Sequence, residues 1–141
     1  QWEEINHAPA FEGRNAGRGV NFGWSAFEGH DRFNDDQSVD DHAPPRLVYE
    51  HPDEECGAVQ DGLVVREAQV DELDGWYVYG DWCNGKVSAY DLLDPTRDSV
   101  QIGDVMHFTQ MLQTTDGNLY ISSTNTFAGV ESGVFIVSSA R

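Results

Sequence analysis

The side chains best equipped for chemistry are few and scattered. Cys56 and Cys83 are the two cysteines, and neither belongs to a CxxC pair. Zinc clusters and thioredoxin-type exchange therefore find no support. Two readings of the thiols remain open: a disulfide, in an oxidising compartment, or two separate buried thiols. Carboxylates are abundant, and a few of them gathered with backbone carbonyls would hold a hard cation; the alternative is a solvated acidic surface suited to salty water. Trp24, Trp76, Trp82, Tyr77 and Tyr79 offer flat apolar rings for a sugar. The same residues serve equally well as packing between sheets.

Charge narrows the partners. The chain of 141 residues carries 25 acidic and 8 basic side chains, a formal net charge of −17, and Lys86 is its single lysine. Such a field repels nucleic acid and anionic membrane, and neither is expected as a partner. Salt screens this self-repulsion, so stability is expected to rise with ionic strength. Hydrophobic residues at 39% and aromatics at 11% suit a globular domain with a real core. No apolar run approaches the ~20 residues that span a bilayer. The chain opens on Gln1-Trp2-Glu3-Glu4 with no start methionine or leader. This reads as the interior of a domain, and an upstream segment is expected.

The elements that must position these groups are strands. Helical periodicity is almost absent, whereas short β-rich runs recur between Gly, Asp, Asn and Pro. The runs are Gly62 to Arg66, Gly75 to Gly80, Lys86 to Leu92, Ser99 to Ile102, His107 to Gln113, Asn118 to Ser122 and Gly133 to Val137. Asp116-Gly117 marks a hairpin turn. Short strands at such spacing suit a sandwich, a barrel or a propeller. Four over 62–102 have the size of one propeller blade and about three over 106–137 make most of another, but internal identity between the two is weak and the repeat alone does not choose. Residues 1–55 differ. They are rich in Gly, Asn, Asp and Pro, with an acidic loop at Asp35–Asp41, Pro44-Pro45, and a strand at Arg46 to Glu50.

Read together, several motifs carry a resemblance. Glu4-Ile5-Asn6, Asn21-Phe22-Gly23-Trp24, Phe27-Glu28-Gly29, Gly75 to Val87 and Asp116 to Tyr120 follow one another as in the glucose/sorbosone dehydrogenase-like propellers. The resemblance covers nearly the whole chain. It implies an all-β fold of antiparallel blades from a six-bladed β-propeller. About two blades are expected here: a loop-rich region with a strand at 1–55, a blade at 56–104 and another at 105–141. Enzymes of this kind oxidise sugars with pyrroloquinoline quinone and calcium, while a related propeller in hedgehog-interacting protein only binds a partner. Fold alone does not choose between them.

The resemblance also assigns residues. Arg66 and Lys86 match regions that approach the quinone, whose carboxylates would favour such charges; otherwise both are solvated strand-end cations. Glu4, the carbonyl of Phe22 and Asp31 match oxygens that hold a structural calcium. Cysteines matching Cys56 and Cys83 occur together in many members, which favours a bridge between them. The family's catalytic histidine and Arg-Asn pair lie upstream of the Glu4 motif. None of His7, His30, His42, His51 and His107 matches that histidine, so each is expected to be structural or superficial. The expectation is thus the C-terminal part of a secreted or periplasmic quinoprotein dehydrogenase acting on an aldose or sorbosone, inactive alone. The competing expectation is a non-catalytic propeller module for carbohydrate or protein. Exposed blade faces of an incomplete ring lead to self-association.

Overall fold

A computed structural model describes residues 2–10, 17–51, 56–124 and 132–139. The described residues form an all-β protein with antiparallel sheets and one short 3₁₀ turn, Asp71–Leu73. The chain divides into two compact units, Gln1–Glu55 and Cys56–Arg141.

In the first unit β1 (Trp2–Ile5) pairs with β4 (Leu47–Glu50), and β2 (Phe27–Glu28) pairs with β3 (Asp31–Arg32) in a tight hairpin. Glycine is required at the hairpin's tip. Gly29 has φ +62°, and a Cβ there would stand 2.9 Å from Trp2 Cγ. Polar side chains replace longer strands elsewhere. Asn21 Oδ1 accepts the Gly23 N–H at 2.9 Å, and the Gly23 carbonyl accepts from Ala26 and Phe27. Such Asx turns order a segment with little sheet of its own.

The second unit holds the larger sheets. β5 (Val59–Val64), β6 (Trp76–Asp81), β7 (Lys86–Asp91) and β8 (Val100–Asp104) form a four-stranded antiparallel sheet in sequence order. β9 (Phe108–Gln113), β10 (Leu119–Ser123) and β11 (Gly133–Ile136) form a second sheet of three. The Asp116-Gly117 turn joins β9 to β10; the Thr114 N–H donates to the Asn118 carbonyl at 2.9 Å, and the Thr114 carbonyl accepts from the Gly117 N–H at 3.0 Å. Period-two alternation builds the core: Val87 and Ala89 from β7 lie with Val78, while Phe108, Met111, Leu119 and Ile121 come from the second sheet. Ser88 and Tyr90, on the other face of β7, are buried as well, so this strand is covered on both sides.

One boundary departs from the sequence expectation. Gly62, expected to open a strand, lies inside β5 opposite Tyr79. A Cβ there would fall 2.6 Å from Tyr77 Oη and 2.7 Å from the Val78 carbonyl. The glycine marks a close approach within the sheet, and the strand begins three residues earlier, at Val59.

The stacking of the two sheets is specific. Val105–His107 carry the chain from β8 to β9 in three residues. Phe108, fully buried, lies flat on Gly80 of β6, where a Cβ would collide with its ring. Further on, the Met111 N–H donates to Asp61 Oδ2 of β5 at 2.9 Å. At the far end, Gln113 exchanges two bonds with the Arg66 backbone, accepting at 3.0 Å and donating at 2.6 Å. β9 therefore runs along β5 in the same sense, face to face and without sharing a sheet.

Candidate functional site

The best-built polar arrangement lies at the end of the four-stranded sheet where β6 turns into β7. Asp81, only 2% exposed, closes β6. Its Oδ1 accepts the N–H groups of Cys83 at 2.7 Å and Asn84 at 3.0 Å, and its Oδ2 accepts Ala58 N–H at 3.1 Å. One carboxylate thus shapes the turn and ties it to the entry of β5. Three donors satisfy a charge that would otherwise be costly to bury. The disulfide Cys56–Cys83, with Cα atoms 5.3 Å apart, spans the same gap. Two separate devices therefore fix the loop that presents Trp82, Asn84 and Lys86.

Lys86 opens β7 on this rigid corner. Its N–H donates to Asn84 Oδ1 at 2.8 Å, its side chain is exposed, and Asp104 stands opposite on β8. His107 sits at the same end, its ring 5.0 Å from that of Trp82. Its Nδ1 is buried without a hydrogen-bond partner, and its backbone adopts φ +55°, a conformation few non-glycine residues take. Residues held this way concentrate at functional places. The sequence expectation gave His107 only a structural or surface role, because it does not match the catalytic histidine of the resembled family; positive φ and an orphaned ring nitrogen are visible only in three dimensions.

Arg66 is not part of this corner. β5 starts beside Asp81 and runs away from it, since Val59 pairs with Asp81 and Val64 with Tyr77. Arg66 follows at the far end, while Lys86 stands next to Val87, which pairs with Gly80. Seven residues along β5 at about 3.3 Å each separate the two levels by roughly 20 Å. The structure keeps the two expected cofactor cations apart, and the Arg66 backbone is spent on Gln113.

The residues expected to hold calcium belong to the first unit. Glu4 Oε1 accepts the Gly29 N–H at 2.5 Å, and Oε2 accepts from Asn6 Nδ2 at 3.3 Å. Asp31 is exposed and pairs with Glu28 in the hairpin that Gly29 closes. Glu4 and Asp31 thus both meet the β2–β3 hairpin, whereas Phe22 stands half-buried in the loop before Gly23. Among the described residues no three His, Cys, Asp or Glu side chains gather as a metal-holding group. A calcium here would take two carboxylates and a carbonyl from the expected set and would need further oxygens to reach six.

The aromatic residues split by position. Tyr79 is buried, Tyr77 stacks on it at 5.9 Å, and Arg97 lies over Trp76 at 5.7 Å from the ring centre. Burial raises the hydroxyl pKa of both tyrosines above the usual value, with the Asp61 carboxylate adding to the effect at Tyr77. Trp24 differs: it is 70% exposed. No family model, curated protein or solved structure matches the chain.

Proposed function

We propose that the Cys56–Arg141 unit supplies two neighbouring blades of a six-bladed β-propeller of the glucose/sorbosone dehydrogenase-like kind, in a secreted or periplasmic quinoprotein that oxidises an aldose or sorbosone. The observation that carries this reading is the course of β9. It follows β8 after three residues and then runs along β5 in the same sense, face against face. Neighbouring propeller blades place their inner strands this way around a central channel. The disulfide suits an oxidising compartment.

In this reading Lys86 is the group that meets a carboxylate of pyrroloquinoline quinone, on the corner fixed by Asp81 and the disulfide. When bound, the quinone accepts hydride from the sugar, and calcium polarises its carbonyl. Glu4, the Phe22 carbonyl and Asp31 hold a structural calcium. The second sheet meets a further sheet through its outer face. Its three strands carry no charged side chain, and Leu112, Tyr120 and Ile136 line up in one cross-strand row there. That surface takes another blade or a second copy of the chain.

A second reading has its own support. The separation of Arg66 from Lys86 leaves one cation where a tricarboxylate quinone favours several. This favours a non-catalytic propeller module that binds carbohydrate or protein. Titration with pyrroloquinoline quinone and calcium, followed by tryptophan fluorescence, separates the two. The quinoprotein reading expects saturable quenching, weakened about tenfold or more by Lys86→Glu and unchanged by Arg66→Glu. Absence of saturable quenching overturns it and leaves the binding module.

A further inference from the structure

Beside the β2–β3 hairpin, the described residues of the Gln1–Glu55 unit leave an aromatic surface open to water. Trp24 is 70% exposed and Phe33 56%, yet their rings are held together, with centres 5.3 Å apart and planes 26° from parallel. The stack is fixed from below. Phe33 N–H and Asn34 N–H both donate to the Ala26 carbonyl, at 2.9 Å and 3.3 Å. Phe27 stacks on His42 at 4.4 Å, and the Arg32 guanidinium lies over Phe27 at 5.0 Å while bonding the Gln37 carbonyl. Folding usually buries rings of this size, because each covers 150–250 Å² of apolar area. Here it leaves them ordered and uncovered.

A polar rim follows directly. Asn34 shapes it, its Oδ1 accepting the Asp36 N–H at 3.0 Å and its carbonyl accepting from Gln37 at 3.3 Å. The Asp35 side chain is 98% exposed, and Asp36 and Gln37 are exposed beside it. Carboxylate and amide oxygens accept hydroxyl hydrogens.

We infer that the Trp24–Phe33 stack is a saccharide-binding platform, with the apolar C–H face of a sugar ring on Trp24 and its hydroxyls on the Asn34–Gln37 rim. Two rings are too small for a stable protein interface, which needs roughly 800 Å² on each partner. An organic cation is less well suited, because Arg32 already occupies the neighbouring ring and lies 3.7 Å from Asp35. A neutral polyol uses both the rings and the acceptors. The inference concerns Gln1–Glu55 alone and its test contains no quinone, so it and the quinoprotein reading can fail separately.

The test is a titration of the whole chain, labelled with nitrogen-15, with a β-1,4-linked and an α-1,4-linked glucose pentamer, following the Trp24 indole N–H. A saturating shift is expected with at least one pentamer, at a dissociation constant on the order of 1 mM or below. Trp24→Ala should weaken binding tenfold or more, as judged by saturation transfer to the sugar, and Trp24→Phe should retain part of it. Folding is checked by the unchanged amide spectrum of β1–β4, the strands of the unit that carries Trp24, since an exposed indole carries little packing. The inference is overturned if neither pentamer shifts the indole, if Trp24→Ala binds as the parent does, or if tetramethylammonium saturates the site where the sugars do not.

Discussion

The contact between Phe108 and Gly80 can be tested as a pair. Phe108 is the largest fully buried side chain among the described residues, and its ring fills the space that a Cβ at Gly80 would occupy. Phe108→Ala removes a buried ring, at a cost of about 3–5 kcal/mol. Gly80→Ala inserts a methyl into β6, which is paired on both sides and cannot move aside, at a cost of about 1–3 kcal/mol. In the double variant the methyl enters the space the ring has left, so the Gly80 penalty falls toward zero. The expected coupling is therefore about 1–3 kcal/mol in the direction of mutual rescue. Urea titration of the four proteins measures it, and Phe108→Leu substitutes if the alanine variant is too weak to fold. In a domain of this size each 1 kcal/mol moves the melting temperature by about 4–8 °C, so thermal scans report the same sign. Costs that simply add, within about 0.5 kcal/mol, would refute the stacking of Phe108 on Gly80.

Other outcomes follow from the same corner and core. Opening the Cys56–Cys83 bridge, which closes a span of 27 residues, should cost about 3.5 kcal/mol on the chain-entropy relation; unchanged urea midpoints with and without reductant would contradict it. Asp81→Asn sets an amide N–H₂ against backbone donors and should cost about 1–3 kcal/mol, read in the same titration. Alkaline pH should destabilise the fold. Burial raises the Tyr79 and Tyr77 pKa values above those of the unfolded chain, so their contribution is complete below about pH 10 and is lost as pH rises through the folded values. A melting temperature flat from about pH 9 to pH 11.5 would count against this, and Tyr79→Phe should flatten the fall.

Much of the architecture was legible because its signals are local. Alternation in Val87-Ser88-Ala89-Tyr90 and the Asp116-Gly117 turn mark strands and hairpin without tertiary information. The start of β5 was not legible. Val59-Gln60-Asp61 lie outside the run expected from Gly62 to Arg66, yet Asp61 points at the Met111 amide and Gly62 makes room for Tyr77. Both reasons belong to contacts distant in sequence. The same limit applies to the corner where β6 turns into β7. Arg66 and Lys86 look like equivalent strand-end cations until strand direction sends them to opposite ends of the sheet. His107 and Asp81 acquire meaning only from a buried ring nitrogen and three converging backbone donors. Trp24 was noticed as an aromatic residue, but exposure was needed to separate it from Tyr79.

The stacked arrangement of the two sheets, on which the propeller reading depends, is most directly tested by nuclear Overhauser contacts across them. Phe108 ring protons should reach the Gly80 α-protons, and the Gln113 side-chain amide should reach Arg66, both in one sample. A reversed pattern, with Phe108 near Arg66 and Gln113 near Gly80, would mean that β9 runs against β5 and would contradict the account.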